Sequence, residues 1–93
     1  MDKELTINII REYLISKNIK KAAIFGSFLR DDFNKKSDID IVIEPFDHMT
    51  LWDMIHIQDD LKKKTKRRID IIEYEGLKSY IKENVMSSAL TII

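Results

Sequence analysis

The sequence predicts a single α/β (α+β) domain over residues 1–93, in which a small mixed three-stranded sheet packs with helices. Three short apolar runs are typical of strands, because each is too short for a helix. The stretches before, between and after them repeat apolar residues at helical spacing. The composition, 44% hydrophobic and 34% charged, is that of a soluble globular protein. A chain of this length supports one modest core.

The predicted elements follow one another without a linker or an internal repeat. The first helix has a predicted buried stripe of Leu5, Ile9, Ile10, Tyr13 and Leu14, and the second has one of Leu51, Met54, Ile55 and Leu61, with Trp52 at its edge. Thr50 and Asp53 form a near capping box. The apolar tail, Met86–Ile93, is expected to fold back on the core or to dock on another chain. In chain order the elements are a helix at Asp2–Lys17, a strand at Lys21–Phe25, a brief helix at Ser27–Arg30, a loop at Asp31–Ser37, a strand at Asp38–Glu44, a helix at Thr50–Lys64, a strand at Arg68–Glu73 and a helix at Leu77–Val85.

Charge and cysteine content exclude several classes of protein. The formal net charge is zero, which argues against direct nucleic-acid binding through bulk electrostatics. The absence of cysteine excludes disulfides, thiolate zinc sites and a cysteine nucleophile. The N-terminus lacks the apolar segment of a signal peptide, and no apolar run could span a bilayer. We therefore expect a cytoplasmic protein with no membrane partner.

The dipeptide Gly26-Ser27 follows the first predicted strand directly. A strand, a tight turn and a helix start bring backbone N–H groups and a hydroxyl to a place where a phosphate can bind. Taken alone, this pair is a weak signal, and a glycine that simply ends a strand explains it as well.

Three aspartates form the stronger signal. Asp38 and Asp40 alternate with isoleucines, so both lie on one face of the second strand. Their backbones are about 7 Å apart along the strand, so the carboxyl groups can converge on one ion. Asp70 has the same setting in the third strand, and it joins them if the two strands are neighbours. A divalent cation relieves the repulsion between such carboxylates.

A basic run separates the second helix from the third strand. Cations suit the C-terminal end of a helix dipole, which is the simpler interpretation. The alternative is an electrostatic dock for a triphosphate, RNA or an acidic partner. The run comprises Lys62, Lys63, Lys64, Lys66, Arg67 and Arg68.

The pattern Gly26-Ser27, ten residues, Asp38-x-Asp40 and a later lone Asp70 resembles the nucleotidyltransferase superfamily with the polymerase-beta-like fold. The short length resembles its minimal nucleotidyltransferase (MNT) group, the antitoxin partners of HEPN-domain ribonuclease toxins. The resemblance covers nearly the whole chain. One departure is Asp31, where the family often has glycine.

The resemblance implies a role for each motif. Asp38 and Asp40 would bind two Mg²⁺ ions that hold ATP, and Asp70 would complete one metal site and help to deprotonate the attacking hydroxyl. Gly26 and Ser27 would hold the β- and γ-phosphates, and Arg30 would contact phosphate or brace the loop. Such a site suits in-line attack on the α-phosphorus, because two metal ions activate the hydroxyl and stabilise the leaving pyrophosphate.

Three functions remain open at this point. The leading hypothesis is a Mg²⁺-dependent antitoxin that transfers AMP from ATP to a hydroxyl, most simply a tyrosine, of a cognate HEPN toxin. The second is a non-catalytic antitoxin that neutralises the toxin by binding, as Asp31 and the apolar tail would allow. The third is a nucleotidyltransferase that acts on RNA or a small molecule. A homodimer and a hetero-oligomer with the toxin are both compatible with the sequence.

Overall fold

The computed structural model describes residues 3–25, 38–76 and 89–93. Within them the helices are α1 (Lys3–Ser16) and α2 (Leu51–Thr65). The strands are β1 (Ala22–Phe25), β2 (Ile39–Ile43), β3 (Ile69–Glu73) and β4 (Leu90–Thr91), and a short 3-10 turn follows β3 at Tyr74–Gly76. The two long helices and the first three strands confirm the predicted order. The predicted helices at 27–30 and 77–85 and the loop at 31–37 lie outside the described residues.

The described strands form one mixed sheet in the order β3-β2-β1-β4. β1 pairs antiparallel with both β2 and β4, whereas β2 and β3 are parallel. The fold class is therefore confirmed, but the predicted count of three strands is wrong by one. The additional strand comes from the tail, where the Ile92 amide donates to the carbonyl of Ala22 at 3.0 Å. A pairing of two residues carries too little alternation to be predicted.

The main core lies between the helices and one face of the sheet. Alternate residues of β1 and β2, such as Ile24 and Ile41, are fully buried there. Ile10 and Leu14 of α1 and Leu61 of α2 pack against them. The opposite face carries a smaller cluster of Ala23, Val42 and Tyr74, with Phe25 and Ala89 partly buried beside it. The described residues therefore form two layers, the helices and the sheet. The sheet face opposite the helices is only partly covered by them.

The buried helix faces differ in part from the predicted stripes. Leu5 is exposed, and Thr6 takes its place in the interior of α1 beside Ile10, Tyr13 and Leu14. In α2 the prediction was wrong for Leu51 and Ile55, which are exposed, and the buried residues are Ile57, Leu61 and Thr65. The face of α2 that packs on the sheet is therefore rotated toward Ile57 and Thr65.

The ends of α2 are fixed by local hydrogen bonds. The Thr50 hydroxyl accepts from the Asp53 amide at 3.2 Å, and the Thr50 amide donates to the Asp53 carboxylate at 2.9 Å. This confirms the predicted capping box. At the other end, Lys66 adopts a left-handed conformation and its amide donates to the Lys62 carbonyl.

Neither helix in the described ranges is long and apolar enough to cross a membrane.

Candidate active site

The parallel pairing of β2 and β3 brings acidic residues of both strands together. Asp40 and Asp70 are direct partners in the register, and Ile39 pairs with Ile69. The Ile39 amide also donates to the Arg68 carbonyl at 2.9 Å, which fixes this register at the beginning of both strands. The expectation that the third acidic strand lies beside the second is therefore confirmed. That these residues bind metal or act in catalysis stays a prediction.

The carboxylates lie on the sheet face opposite the main core. Ile39 and Ile41 on either side of Asp40 point into that core and are fully buried. Strand alternation directs Asp40 and Asp70 to the other face, where both side chains are partly buried. Asp38, also partly buried, directly precedes β2. The site therefore sits at the amino ends of β2 and β3, on the less covered side of the sheet.

The electrostatics of this site centre on Asp40. Burial raises the pKa of its carboxyl above the ordinary value of 3.8, and the negative charges of Asp70 and Asp38 raise it further. A side-chain hydrogen bond with Asp70 acts in the same direction, since it favours the protonated form of Asp40. The fold therefore places the three carboxylates so that ionisation of Asp40 is unfavourable unless a cation is bound nearby.

These donors fit a hard divalent cation by their chemistry. Carboxylate oxygens are the preferred protein ligands of Mg²⁺, which keeps several waters and shares substrate phosphates. Among the described residues, no group of three or more His, Cys, Asp or Glu side chains is already arranged around a single ion position. Asp40 and Asp70 are partners in the strand register, and Asp38, two residues before Asp40, adds a further negative charge.

The phosphate-binding residues predicted from the sequence follow β1 in the chain. Gly26, Ser27, Arg30 and Asp31 lie outside the described residues. The structure does show where the preceding strand ends: Phe25, the last residue of β1, pairs with Asp40. The described part of β1 therefore ends beside Asp40 in the sheet.

Phe25 is a neighbour of the site that the sequence did not reveal. The antiparallel register places it in one row with Asp40 and Asp70 across three strands. Cross-strand partners present their side chains on the same face, so Phe25 flanks Asp40, the carboxyl whose pKa is raised chiefly by burial. Alternation along β1 could have indicated its face, but only the register shows which residue it adjoins.

A basic pocket of about 600 Å³ lies where α2 ends and β3 begins. We define it by its lining residues, five cations and one carboxylate: Lys62, Lys63, Lys66, Arg67, Arg68 and Asp59. It contains most of the basic run found in the sequence. Lys64 differs, because its ammonium lies over the Tyr13 ring, 5.8 Å from the centroid.

The chain matches one family model over most of its length. Residues 8–93 match the polymerase beta nucleotidyltransferase family. This range includes the predicted phosphate turn and all three aspartates.

Individual relatives agree with this match. A candidate protein adenylyltransferase of Methanocaldococcus jannaschii is 26% identical over 80 residues, which are 86% of each chain. A solved structure described as a candidate minimal nucleotidyltransferase is 28% identical, with a TM-score of 0.78 over 97% of this chain and 95% of that one. The antitoxin in a complex of an MNT antitoxin with a tri-AMPylated Shewanella oneidensis HEPN toxin shares the fold. Its TM-score is 0.78 at 17% identity, over 99% of this chain and 72% of that one.

Proposed function

Because this chain belongs to the polymerase beta nucleotidyltransferase family, we propose that it transfers AMP from ATP to a hydroxyl of a partner protein. The observation that carries the proposal is the direct pairing of Asp40 with Asp70, beside Asp38 and at the end of β1. The relatives described as protein adenylyltransferases support a protein acceptor. The acceptor class is a HEPN toxin, and a tyrosine is its modified residue.

The proposed step is a single displacement at the α-phosphorus. The acceptor oxygen forms a bond to this phosphorus while the bond to the bridging oxygen of the β-phosphate breaks, and pyrophosphate leaves. The hydroxyl proton passes to the Asp70 carboxylate or to water. Asp38, Asp40 and Asp70 would hold Mg²⁺, which when bound lowers the pKa of the hydroxyl and stabilises the leaving oxygen.

The chain's own residues set the conditions for this step. The register pairing of Asp40 with Asp70 holds two carboxylates on rigid neighbouring strands. Phe25, next to Asp40, reduces access of water on the β1 side. Gly26 and Ser27, which follow Phe25, are proposed to hold the β- and γ-phosphates, with Arg30 beside them.

We further propose that the same acceptor receives AMP more than once. The S. oneidensis toxin in the complex of the same fold is described as tri-AMPylated. A second transfer needs a new nucleophile, and a ribose hydroxyl of the AMP already attached supplies one. The bonds formed and broken at phosphorus are then the same as in the first transfer.

Label transfer tests this function. The protein and its co-expressed partner are incubated with Mg²⁺ and ATP labelled at either the α- or the γ-phosphate. We expect a labelled partner band with the α-label only, and no band for Asp38→Asn/Asp40→Asn. Asp47→Asn is the matched control, because Asp47 is an exposed carboxylate in the connection after β2.

Each other outcome contradicts the proposal in a specific way. A band with the γ-label would indicate kinase chemistry. Label in RNA alone would show that the acceptor is a nucleic acid. Neutralisation of the toxin without any label, with the partner present, would show an antitoxin that acts by binding.

A further inference from the structure

The outer face of α2 exposes large apolar side chains in its first turns. Trp52 is 78% exposed, and Leu51 and Ile55 are 71% and 42% exposed. Ile55 is three residues after Trp52 and four after Leu51, so on the helix surface it neighbours both and the three form one patch. The buried residues of α2 lie on the other side of the helix. The patch therefore takes no part in the core, and an exposed apolar surface of this kind is typical of an interface.

Trp52 also begins a stripe of exposed residues that runs along α2. The stripe continues with His56, Asp59 and Lys63, all of which are exposed. Spacings of four, three and four residues keep these side chains within about 60° of one another around the helix axis. This is the spacing by which two helices pack side by side. The order along the stripe is aromatic, imidazole, carboxylate and ammonium, so its two halves are complementary in chemistry.

Two such helices, placed antiparallel about a two-fold axis, bring unlike residues together. When the axis passes between residues 57 and 58, residue 52 faces residue 63 of the second copy, and residue 56 faces residue 59. Trp52 then lies against the Lys63 ammonium in a cation–π contact, and His56 lies against the Asp59 carboxylate. Each contact occurs twice, because a two-fold interface uses the same surface on both copies.

The basic pocket provides space for the aromatic side chain in this pairing. Four of the residues that line the pocket belong to α2 or to its C-terminal cap: Asp59, Lys62, Lys63 and Lys66. The antiparallel register places Trp52 of the second copy over this group. The pocket volume of about 600 Å³ is larger than an indole ring. A buried aromatic anchor in a pocket is the usual centre of a protein–protein interface.

We propose that the outer face of α2 pairs antiparallel with the same face of a second copy of this chain. The flanks of the stripe also match, because Leu51 and Ile55 face the aliphatic stems of lysines 66 and 62 of the second copy. RNA fits this face less well, since Asp59 in the middle of the stripe repels a phosphate backbone. An unrelated protein fits it less well, since each member of the stripe has its complement on the stripe itself.

The length of α2 sets the expected strength of this dimer. The helix has 15 residues and is therefore about 22 Å long. A helix face of that length buries less surface than a standard interface, so we expect a weak dimer that depends on concentration. Because α2 packs on the sheet face opposite Asp40 and Asp70, the pairing leaves the carboxylates of both copies open. The dimer is therefore independent of the proposed catalytic activity.

The first test measures self-association by sedimentation equilibrium over a series of protein concentrations. Trp52→Ala removes both aromatic contacts and should weaken the association of the wild type at least about tenfold. Ile15→Ala is the matched control, because Ile15 is an exposed apolar residue of α1, and it should associate like the wild type. A wild type whose Kd is weaker than about 1 mM would overturn the proposal. Equal association of Trp52→Ala and the wild type would overturn it as well.

The second test exchanges charges across the two-fold axis. In a dimer of His56→Asp two carboxylates meet at each contact, and in a dimer of Asp59→Lys an ammonium meets an imidazole. Each variant alone should associate at least about tenfold more weakly than the wild type. In an equimolar mixture the introduced carboxylate faces the introduced ammonium, and the native His56 faces the native Asp59. The mixture should recover the association of the wild type, which also shows that both variants are folded; a mixture as weak as the separate variants would contradict the antiparallel pairing.

Two further probes identify a different occupant of this face. If the wild type is monomeric and Trp52→Ala loses binding to the co-expressed partner protein, the face docks that partner and the second copy is overturned. If a mixed-sequence single-stranded RNA binds the wild type and Trp52→Ala weakens this binding, RNA is the occupant, which overturns the second copy in the same way. AMP transfer by a wild type that stays monomeric would overturn the dimer and leave the proposed function intact.

Discussion

Among the described residues, Asp40 has a setting that disfavours its ionised form. Its carboxyl is partly buried, borders Phe25 and shares a hydrogen bond with Asp70. Because the folded-state pKa is raised above 3.8, this residue contributes stability below that pH and loses it as the pH rises through the folded-state value. At neutral pH the ionised carboxyl therefore destabilises the metal-free protein.

Asp40→Asn should accordingly raise the metal-free melting temperature at neutral pH. The asparagine amide can donate to Asp70 without adding charge, and we expect an increase of roughly 2–5 °C. The difference should shrink as the pH falls through the folded-state pKa of Asp40, which burial and the neighbouring carboxylates raise above 3.8. Calorimetric scans from neutral to acidic pH measure this, with Asp47→Asn as the control. A lower melting temperature at neutral pH, or a difference that grows in acid, would refute the interpretation.

Magnesium should reverse the order of stability. A cation bound by the aspartates stabilises the folded state by about 1.4 kcal/mol at tenfold excess over its Kd. We expect Mg²⁺ to raise the melting temperature of the wild type and of Asp47→Asn, and to have little effect on Asp40→Asn. Equal shifts in all three proteins would show that Mg²⁺ binds elsewhere.

The aspartates also show what sequence patterns can and cannot predict about a site. Alternation in the second strand predicted that Asp38 and Asp40 share a face, and the spacing from Gly26-Ser27 indicated the family. The sequence pattern did not identify Phe25 as the cross-strand neighbour of Asp40. Phe25 reaches that position through a pairing between strands, and local periodicity has no information about register.

At the scale of the elements, α2 shows the same limit. Counting apolar residues placed Leu51 and Ile55 in the interior, yet both are exposed. The true face uses polar atoms that such counting ignores: Thr65 is buried and its hydroxyl donates to the Leu61 carbonyl at 2.8 Å. Gln58 accepts the amide of Ile71 at 3.4 Å. These hydrogen bonds satisfy polar groups where α2 meets β3. The helix face that carries Gln58 and Thr65 can therefore pack against the sheet although it is partly polar.

The start of α2, by contrast, was predictable because a capping box is purely local. Thr50→Ala should destabilise the protein by about 1 kcal/mol, since the Asp53 amide loses its acceptor. Thr50→Ser keeps the hydroxyl and should retain most of the stability. Urea titrations measure both. A loss for serine equal to that for alanine would mean that the threonine methyl group, and not the cap, is responsible.

At the scale of the whole molecule, the end of the chain completes the sheet. The tail was expected either to fold back or to dock on another chain, and residues 90–93 fold back: β4 covers the edge of β1 and Ile92 is buried in the main core. This pairing joins residues far apart in sequence, which is why the fourth strand was not predicted. The fold class, by contrast, was predicted correctly, because the order of helices and strands limits how so short a chain can pack.

Ile92→Ala should therefore be far more costly than its position near the end suggests. A buried isoleucine replaced by alanine loses about 2–5 kcal/mol, a large part of the stability of so small a domain. Leu90→Ala is the control, because Leu90 is exposed and should change stability little. Chemical denaturation of both variants gives the comparison. Equal effects would argue against the docking of the tail on the core.

The intact mass of a purified HEPN partner after incubation with this protein, ATP and Mg²⁺ tests the central claim most directly. We expect the mass to rise by one or more AMP groups, and toxicity to fall in parallel, with the wild type and with Asp47→Asn. Asp70→Asn, which removes the carboxylate paired with Asp40, should leave the mass unchanged and the toxin active. A toxin neutralised at unchanged mass, by the wild type and Asp70→Asn alike, would contradict the account.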